Sequence, residues 1–131
     1  MSRIPLDELL AAARLGLTRL DPAAARDAVH AGGCLIDIRT ESQIAATGTI
    51  PGALIIPRNV LEWRLDSYGD DRHPHAPAVD DVVIVVCDQG YQSSLAAAVL
   101  QTLGYPRATD LAGGFEAWRK AGLPVDPPAA A

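Results

Sequence analysis

Along this chain, stretches with apolar residues every third or fourth position alternate with short runs that are apolar throughout. The first kind predicts amphipathic helices; the second predicts strands buried on both faces. Ile4 to Arg14 is of the first kind, with Leu6, Leu9, Leu10 and Ala13 on one face. Pro5 stands near its start, Asp7 and Glu8 fill its first turn, and Gly16 ends it. A second helix has Asp21 as N-cap and Pro22 at its first position, and runs to His30 before Gly32-Gly33. Cys34 to Ile38 is a short apolar strand interrupted by Asp37, and Arg39 to Ala46 continues as a polar loop and short helix. Thr49 to Ala53 reads as a turn, Leu54 to Ile56 as a second strand, and Asn59 to Leu65 as a short helix capped by Asn59. Asp66 to Asp80, holding Gly69, Pro74 and Pro77, reads as an extended surface loop.

The strongest strand is Val82 to Val86, an unbroken β-branched run. A polar loop follows it, Cys87-Asp88-Gln89-Gly90-Tyr91-Gln92, and then a helix from Ser93 to Gln101. Tyr105-Pro106 turns the chain into a short strand, Ala108 to Leu111. After Gly113-Gly114 a last helix spans Phe115 to Lys120 and stops at Gly122 and Pro124. Strands alternating with helices imply an α/β fold, a mainly parallel central sheet with helices on both faces. Such sheets hold ligands at the carboxyl ends of their strands.

Composition narrows the picture. At 131 residues the chain fits one domain with a core of its own. We divide it into an N-terminal helical extension (1–19), the α/β domain (20–125) and a disordered tail (126–131). Aromatic residues are only 5%, so aliphatic side chains must fill the interior. A net charge of -5 without a Lys/Arg block argues against nucleic acid as a partner. No apolar run approaches membrane-spanning length, and the N-terminus lacks the pattern of a signal peptide. Cys34 and Cys87 show no C-x-x-C spacing, which suits a reducing cytoplasm and a reactive thiol better than a disulfide.

The chemistry concentrates at Cys87. It ends a buried strand, and the loop behind it opens onto a helix N-terminus. Successive backbone N–H groups in such a loop converge on one point, and the helix dipole favours negative charge there. The same field favours the thiolate, which is the nucleophile. The candidate site is therefore Cys87 as nucleophile, with Asp88, Gln89, Gly90, Tyr91, Gln92 and Ser93 as its cradle.

Several segments, taken in order, resemble the rhodanese, or sulfurtransferase, domain family. Leu35-Ile36-Asp37-Ile38-Arg39 resembles its first-strand signature. Gly48-Thr49-Ile50-Pro51-Gly52-Ala53 is similar to its Gly-His-Ile-Pro-Gly-Ala turn, with Thr49 in the His position. Val85-Val86-Cys87 with its loop and Ser93 resembles the active site, and Leu111 to Trp118 with Gly122-Leu123-Pro124-Val125 resembles the closing motif. The resemblance implies a rhodanese-like three-layer fold. It also implies that Cys87 takes a sulfane sulfur from thiosulfate or a persulfide and passes it to a thiol or cyanide. That is covalent catalysis in two half-reactions. No cofactor and no metal is implied; the partners are a small sulfur donor and a thiol acceptor, with a protein donor or acceptor as a further option. Phosphatase relatives carry a loop one residue longer that ends in Arg, and Gln92 cannot supply that guanidinium.

The chain departs from the family where charge matters. The usual loop Arg is Gln92, and Asp88 follows the nucleophile, so doubly charged thiosulfate should be held less well than a less charged persulfide. Tyr91 adds a hydroxyl and an aromatic wall. Replacement cations are Arg39, first among them, then Arg58 and Arg64; for Arg39 a structural ion pair with Glu41 or a loop carboxylate is an equal reading. Because the usual Arg is missing, a non-catalytic sulfur-sensing or partner-binding module is the alternative function. Cys34 is expected to pack in the core and Asp37 to be a buried, hydrogen-bonded brace. His30, His73 and His75 lack the spacing of a zinc site. Helix 59–65 is expected to cover the sheet, with Trp63 and Arg64 outward, or else to wall the site.

Overall fold

The structure is a computed structural model that describes residues 2–129. In chain order its elements are α1 (Leu6–Leu15), α2 (Pro22–His30), β1 (Cys34–Asp37), α3 (Glu41–Thr47) and β2 (Leu54–Ile55). They continue with a 3-10 turn (Arg58–Val60), α4 (Leu61–Leu65), β3 (Val83–Val86), α5 (Gln92–Leu103), β4 (Ala108–Asp110) and α6 (Gly114–Lys120). The four strands form one parallel sheet in the order β2-β1-β3-β4. This is the expected α/β architecture.

The two-sided burial of β3 follows from its residues. Val83 and Val85 enter one core with Ile36, Leu61, Leu65, Ala96, Ala97 and Leu100, contributed by β1, α4 and α5. Ile84 and Val86 enter the other with Ala25, Leu35, Phe115 and Trp118, contributed by α2, β1 and α6. Three layers result, and every residue of β3 is buried. A β-branched run suits such a strand because both faces pack. Trp118, expected in the core, is there, and its indole N–H donates to the Pro124 carbonyl at 2.8 Å.

The sheet order also locates the functional edge. From β1 the chain moves outward to β2, then returns to add β3 on the other side of β1. The carboxyl ends of β1 and β3 therefore diverge around a crevice. Ile38 and Arg39 leave β1 there, and Cys87 follows β3.

Local differences from expectation have physical causes. Asn59 does not cap a helix; it sits inside the 3-10 turn, and α4 starts after Val60 with no side-chain cap. Gln92 is the first residue of α5 rather than the last of a loop. The 66–80 segment forms turns only, and no residue of it borders the crevice. The 1–19 segment docks on the domain: α1 lies against α5, and Gln101 donates to the Gly16 carbonyl at 2.9 Å. Leu20 then bridges to Leu111 beside β4. At the other end, Asp126, expected in the tail, exchanges backbone hydrogen bonds with Thr49 at 2.7 and 3.0 Å. Residues 130 and 131 of that tail lie outside the described residues. Among the described residues no helix is long and apolar enough to cross a membrane.

Candidate active site

Cys87 sits directly beyond β3, 6% exposed, at the floor of a cleft of about 640 Å³. Its Sγ accepts the Gly90 N–H at 3.1 Å and the Ser93 N–H at 3.3 Å. The loop can turn this tightly because Gly90 is left-handed (φ +86°), a conformation other residues adopt at a cost. Nor is there room for a side chain, since a Cβ on Gly90 would lie 2.6 Å from the Gly113 nitrogen.

The start of α6 sets the loop's other polar groups. Phe115 N–H donates to the Cys87 carbonyl at 2.9 Å, and Glu116 N–H to the Asp88 carbonyl at 3.1 Å. Gly114 (φ +65°) permits this contact: a Cβ there would lie 2.6 Å from the Cys87 oxygen. The helix N-terminus thus draws loop carbonyls away from the thiol, and the loop N–H groups are left facing it.

Asp88, Gln89, Tyr91 and Gln92 all line the cleft. Ser93 splits its roles. Its N–H faces the sulfur, but its hydroxyl donates backward to Asp110 at 2.7 Å. Gly90 also faces two ways, as its carbonyl accepts from Arg14 Nη2 at 2.9 Å and Arg19 Nη2 at 2.8 Å.

Arg39 borders the cleft but is not a substrate cation waiting for a ligand. Its side chain is fully buried and holds Asp37 through Nε at 3.1 Å and Nη2 at 2.9 Å. It also donates to the Thr47 hydroxyl and the Gly48 carbonyl, and its guanidinium stacks on the Phe115 ring at 3.8 Å. The structural ion pair is therefore realised, chiefly with Asp37 rather than Glu41, and the loop carboxylate of Asp88 adds a weaker contact at 4.0 Å. Asp37 is the buried, hydrogen-bonded brace that the sequence led us to expect. Arg58 lines the cleft opposite but pairs with Glu62 at 2.8 Å, and Arg64 pairs with Asp71 outside it. Trp63 is exposed and borders no part of the cleft, so α4 covers the sheet while the turn before it supplies the wall.

Cys34 lies at the other end of the sheet, paired in register with Val83, the first residue of β3. The length of β3, roughly 13 Å at strand rise, separates it from Cys87. Burial, and then the charge of Asp81, push its thiol up to about 11. The His73 and His75 rings lie 5.9 Å apart and tilted, but among the described residues no cluster of His, Cys, Asp and Glu could hold a metal ion.

Sequence reasoning missed the layer beneath the loop. Asp110 is fully buried and accepts from Ser93, Ser94 and Arg19. Its only signal was an acid inside the short apolar strand at 108–111, the same signal that marked Asp37. For Arg14 and Arg19 no local signal exists, because their partners lie 71 to 91 positions away.

The chain is thus a parallel α/β domain that holds a cysteine in an N–H cradle at the crevice where its strand order reverses. The chain belongs to the rhodanese-like domain family, whose description matches residues 21–121. A sulfurtransferase of Allochromatium vinosum is 37% identical over 94 residues, covering 72% of this chain and 78% of that protein. Thiosulfate sulfurtransferase GlpE of Actinobacillus succinogenes is 30% identical over 113 residues, covering 86% and 93%. Among solved structures, a Rhodopseudomonas palustris protein described as of unknown function and a possible tyrosine phosphatase superposes with a TM-score of 0.86. It is 29% identical, and the match covers 96% of this chain and 97% of that one.

Proposed function

We propose that this protein is a rhodanese-type sulfurtransferase that carries sulfur as a persulfide on Cys87, with persulfides better donors than thiosulfate. The observation that carries this reading is the Cys87 sulfur on the cleft floor, held by the Gly90 and Ser93 N–H groups. In the first half-reaction the thiolate attacks the outer sulfur of the donor. With a persulfide R–S–SH, the new S–S bond forms on Cys87 as the donor's S–S bond breaks, and R–S⁻ leaves. With thiosulfate the leaving group is sulfite. In the second half-reaction an acceptor thiolate attacks the outer sulfur, leaves with it as a persulfide, and returns Cys87 as thiolate. Electrons balance in each displacement, so no external oxidant or reductant enters. The cradle N–H groups stabilise the outer sulfur as negative charge gathers on it.

Donor preference follows from charge. Arg39 is occupied by Asp37 and Arg58 by Glu62, while Asp88 adds negative charge at the cleft. Among the described residues that border the cleft, no guanidinium lacks a carboxylate partner. A dianion meets little compensation there, and a less charged donor loses less. The rest of the wall is uncharged, polar at Thr40, Gln43, Asn59 and Gln92 and apolar at Ile38 and Pro57, which suits a small thiol acceptor. A protein thiol is a further donor or acceptor class under this proposal. A reducing compartment such as the cytoplasm fits a working thiolate without a disulfide partner. Phosphoryl transfer has less support, because it requires a guanidinium poised on the transferring group.

The test is intact mass after incubation with thiosulfate or, separately, with a small-molecule persulfide. The wild type gains one sulfur, more completely from the persulfide, and Cys87→Ala gains none. No uptake from either donor, with Cys87 still open to alkylation, would replace this reading by the sulfur-sensing or partner-binding module.

A further inference from the structure

The segment before residue 21 lies outside the residues matched by the family description, yet it reaches the underside of the cysteine loop. Arg14, in the last turn of α1, donates Nε to the Ser94 hydroxyl at 2.9 Å and Nη2 to the Gly90 carbonyl at 2.9 Å. Arg19 clasps buried Asp110 with Nε and Nη2, at 2.9 and 3.1 Å, and gives Nη2 to the same Gly90 carbonyl at 2.8 Å. Asp110 in turn takes the hydroxyls of Ser93 and Ser94. A closed polar network therefore joins α1 to the peptide unit in the middle of the loop.

Its two cations differ. Arg19 is balanced by Asp110. Arg14 has no carboxylate within ion-pair distance among the described residues, so its positive charge stands uncompensated under the loop. No peptide bond here is cis, so C=O and N–H point oppositely within each unit. Anchoring the Gly90 carbonyl on two guanidiniums therefore turns the Tyr91 N–H away from them, and that N–H has no acceptor among the described residues. Two charged donors on one carbonyl also polarise the unit, which makes its N–H a stronger donor.

We infer that Arg14, supported by Arg19, is a positioning residue for Cys87: from behind the loop it supplies the positive charge that Gln92 does not supply from within it. The α1 extension is then a working part of the site rather than an appendage. The inference rests on the cradle and not on sulfur transfer itself. The charge acts through the peptide unit and the field on the thiolate, so it reaches reactivity without touching a donor.

The experiment reads that reactivity directly, as the rate of Cys87 alkylation by iodoacetamide across pH, in wild type, Arg14→Gln and Arg14→Lys. Iodoacetamide is uncharged and needs no sulfur donor, so the outcome is independent of the sulfurtransferase reading. If mass analysis finds no sulfur uptake but the alkylation differences hold, only that reading fails. At neutral pH, Arg14→Gln is expected to slow alkylation roughly three- to tenfold and to move the profile toward alkaline pH. Arg14→Lys keeps the charge with poorer geometry and is expected to recover part of the loss; it also serves if the glutamine variant folds poorly. Cys34, pushed up to about 11 by burial at the far end of the sheet, reports general loosening and is expected to stay unreactive. A profile for Arg14→Gln that superimposes on the wild type would overturn the inference. Equal slowing in the lysine variant, or slowing accompanied by exposure of Cys34, would overturn it too.

Discussion

Two buried aspartate–arginine pairs flank the cysteine loop, and they are built differently. On one side Asp37, ending β1, holds Arg39 two residues on, and both side chains are wholly dry. On the other Asp110, ending β4, holds Arg19 from 91 positions away, and that arginine is 24% exposed. The first pair is a local knot: it also ties Thr47, Gly48 and the Phe115 ring, and so fixes the end of β1 against α3 and α6. The second is a long-range clasp that fastens the N-terminal extension to the loop itself through Ser93, Ser94 and Gly90. Chemically similar pairs thus serve different ends, since the first stabilises the frame and the second sets the cradle. Removing one partner of a fully buried pair strands an unsolvated charge, whereas an arginine at the edge can recover water.

The largest effect expected is therefore from Asp37→Ala, which leaves Arg39 buried with two neutral acceptors. It should cost about 3–5 kcal/mol, measured by urea unfolding. Asp110→Ala should cost less, about 2–3 kcal/mol, because Arg19 can turn to solvent while two serine hydroxyls lose their acceptor. The ratio of effects should reverse in function. Among molecules still folded, Asp110→Ala should depress Cys87 alkylation more than Asp37→Ala does. If the folded Asp37 variant proves the slower of the two, the division between frame and cradle is wrong.

Gly114→Ala tests the third support, where α6 begins. A Cβ would meet the Cys87 oxygen at 2.6 Å from a left-handed backbone, so the loop or the helix must move. The strain alone is worth about 1–3 kcal/mol. Sulfur uptake should fall further than stability, because the Phe115 and Glu116 N–H groups lose their hold on the loop carbonyls. Uptake that stays normal beside a lowered melting temperature would show that the cradle does not depend on α6.

The contrast between the pairs also explains what was legible in the residues. Local signals were readable. The unbroken run at 82–86 gave a strand buried on both faces, the Gly113-Gly114 pair marked the start of the last helix, and Cys87 at a strand–loop–helix junction marked the candidate nucleophile. Asp37 was legible as a buried brace, but not as the partner of Arg39, for which Glu41 or a loop carboxylate and a ligand role were equally open. Only the fold shows that four of the five guanidinium N–H groups of Arg39 already have hydrogen-bond partners. Asp110 could have been suspected from a lone acid in an apolar strand. Arg14 and Arg19 could not, since a basic residue in the last turn of α1 satisfies the dipole, and one in the linker after it needs only water, so neither calls for a distant partner. The absent cap at Asn59 has the same root: α4 starts at Leu61 because Leu61 and Leu65 must reach the core, and packing overrides a weak capping preference.

The smallest effect expected is at the one charge that faces both the local pair and the cleft. Asp88 has a side chain 39% exposed, with its Oδ1 4.0 Å from Arg39 Nη1. It is a weak, partly screened contact, and its contribution to stability is slight. Its influence on a donor is larger in kind, because it adds negative charge to the cleft lining and draws on the remaining positive edge of Arg39. Asp88→Asn keeps the shape and removes that charge. Sulfur uptake from thiosulfate should rise about two- to fivefold, a change of the size expected for one partly exposed charge. Uptake from an uncharged persulfide donor should stay level. Added salt should shrink the difference, since charges beyond the screening length of about 8 Å at physiological ionic strength no longer interact strongly. Equal gains with both donors, or a gain that salt leaves intact, would mean that Asp88 acts through loop geometry. The local pair would then reach the chemistry by the same route as the distant one, and the distinction between them would narrow to their contributions to stability.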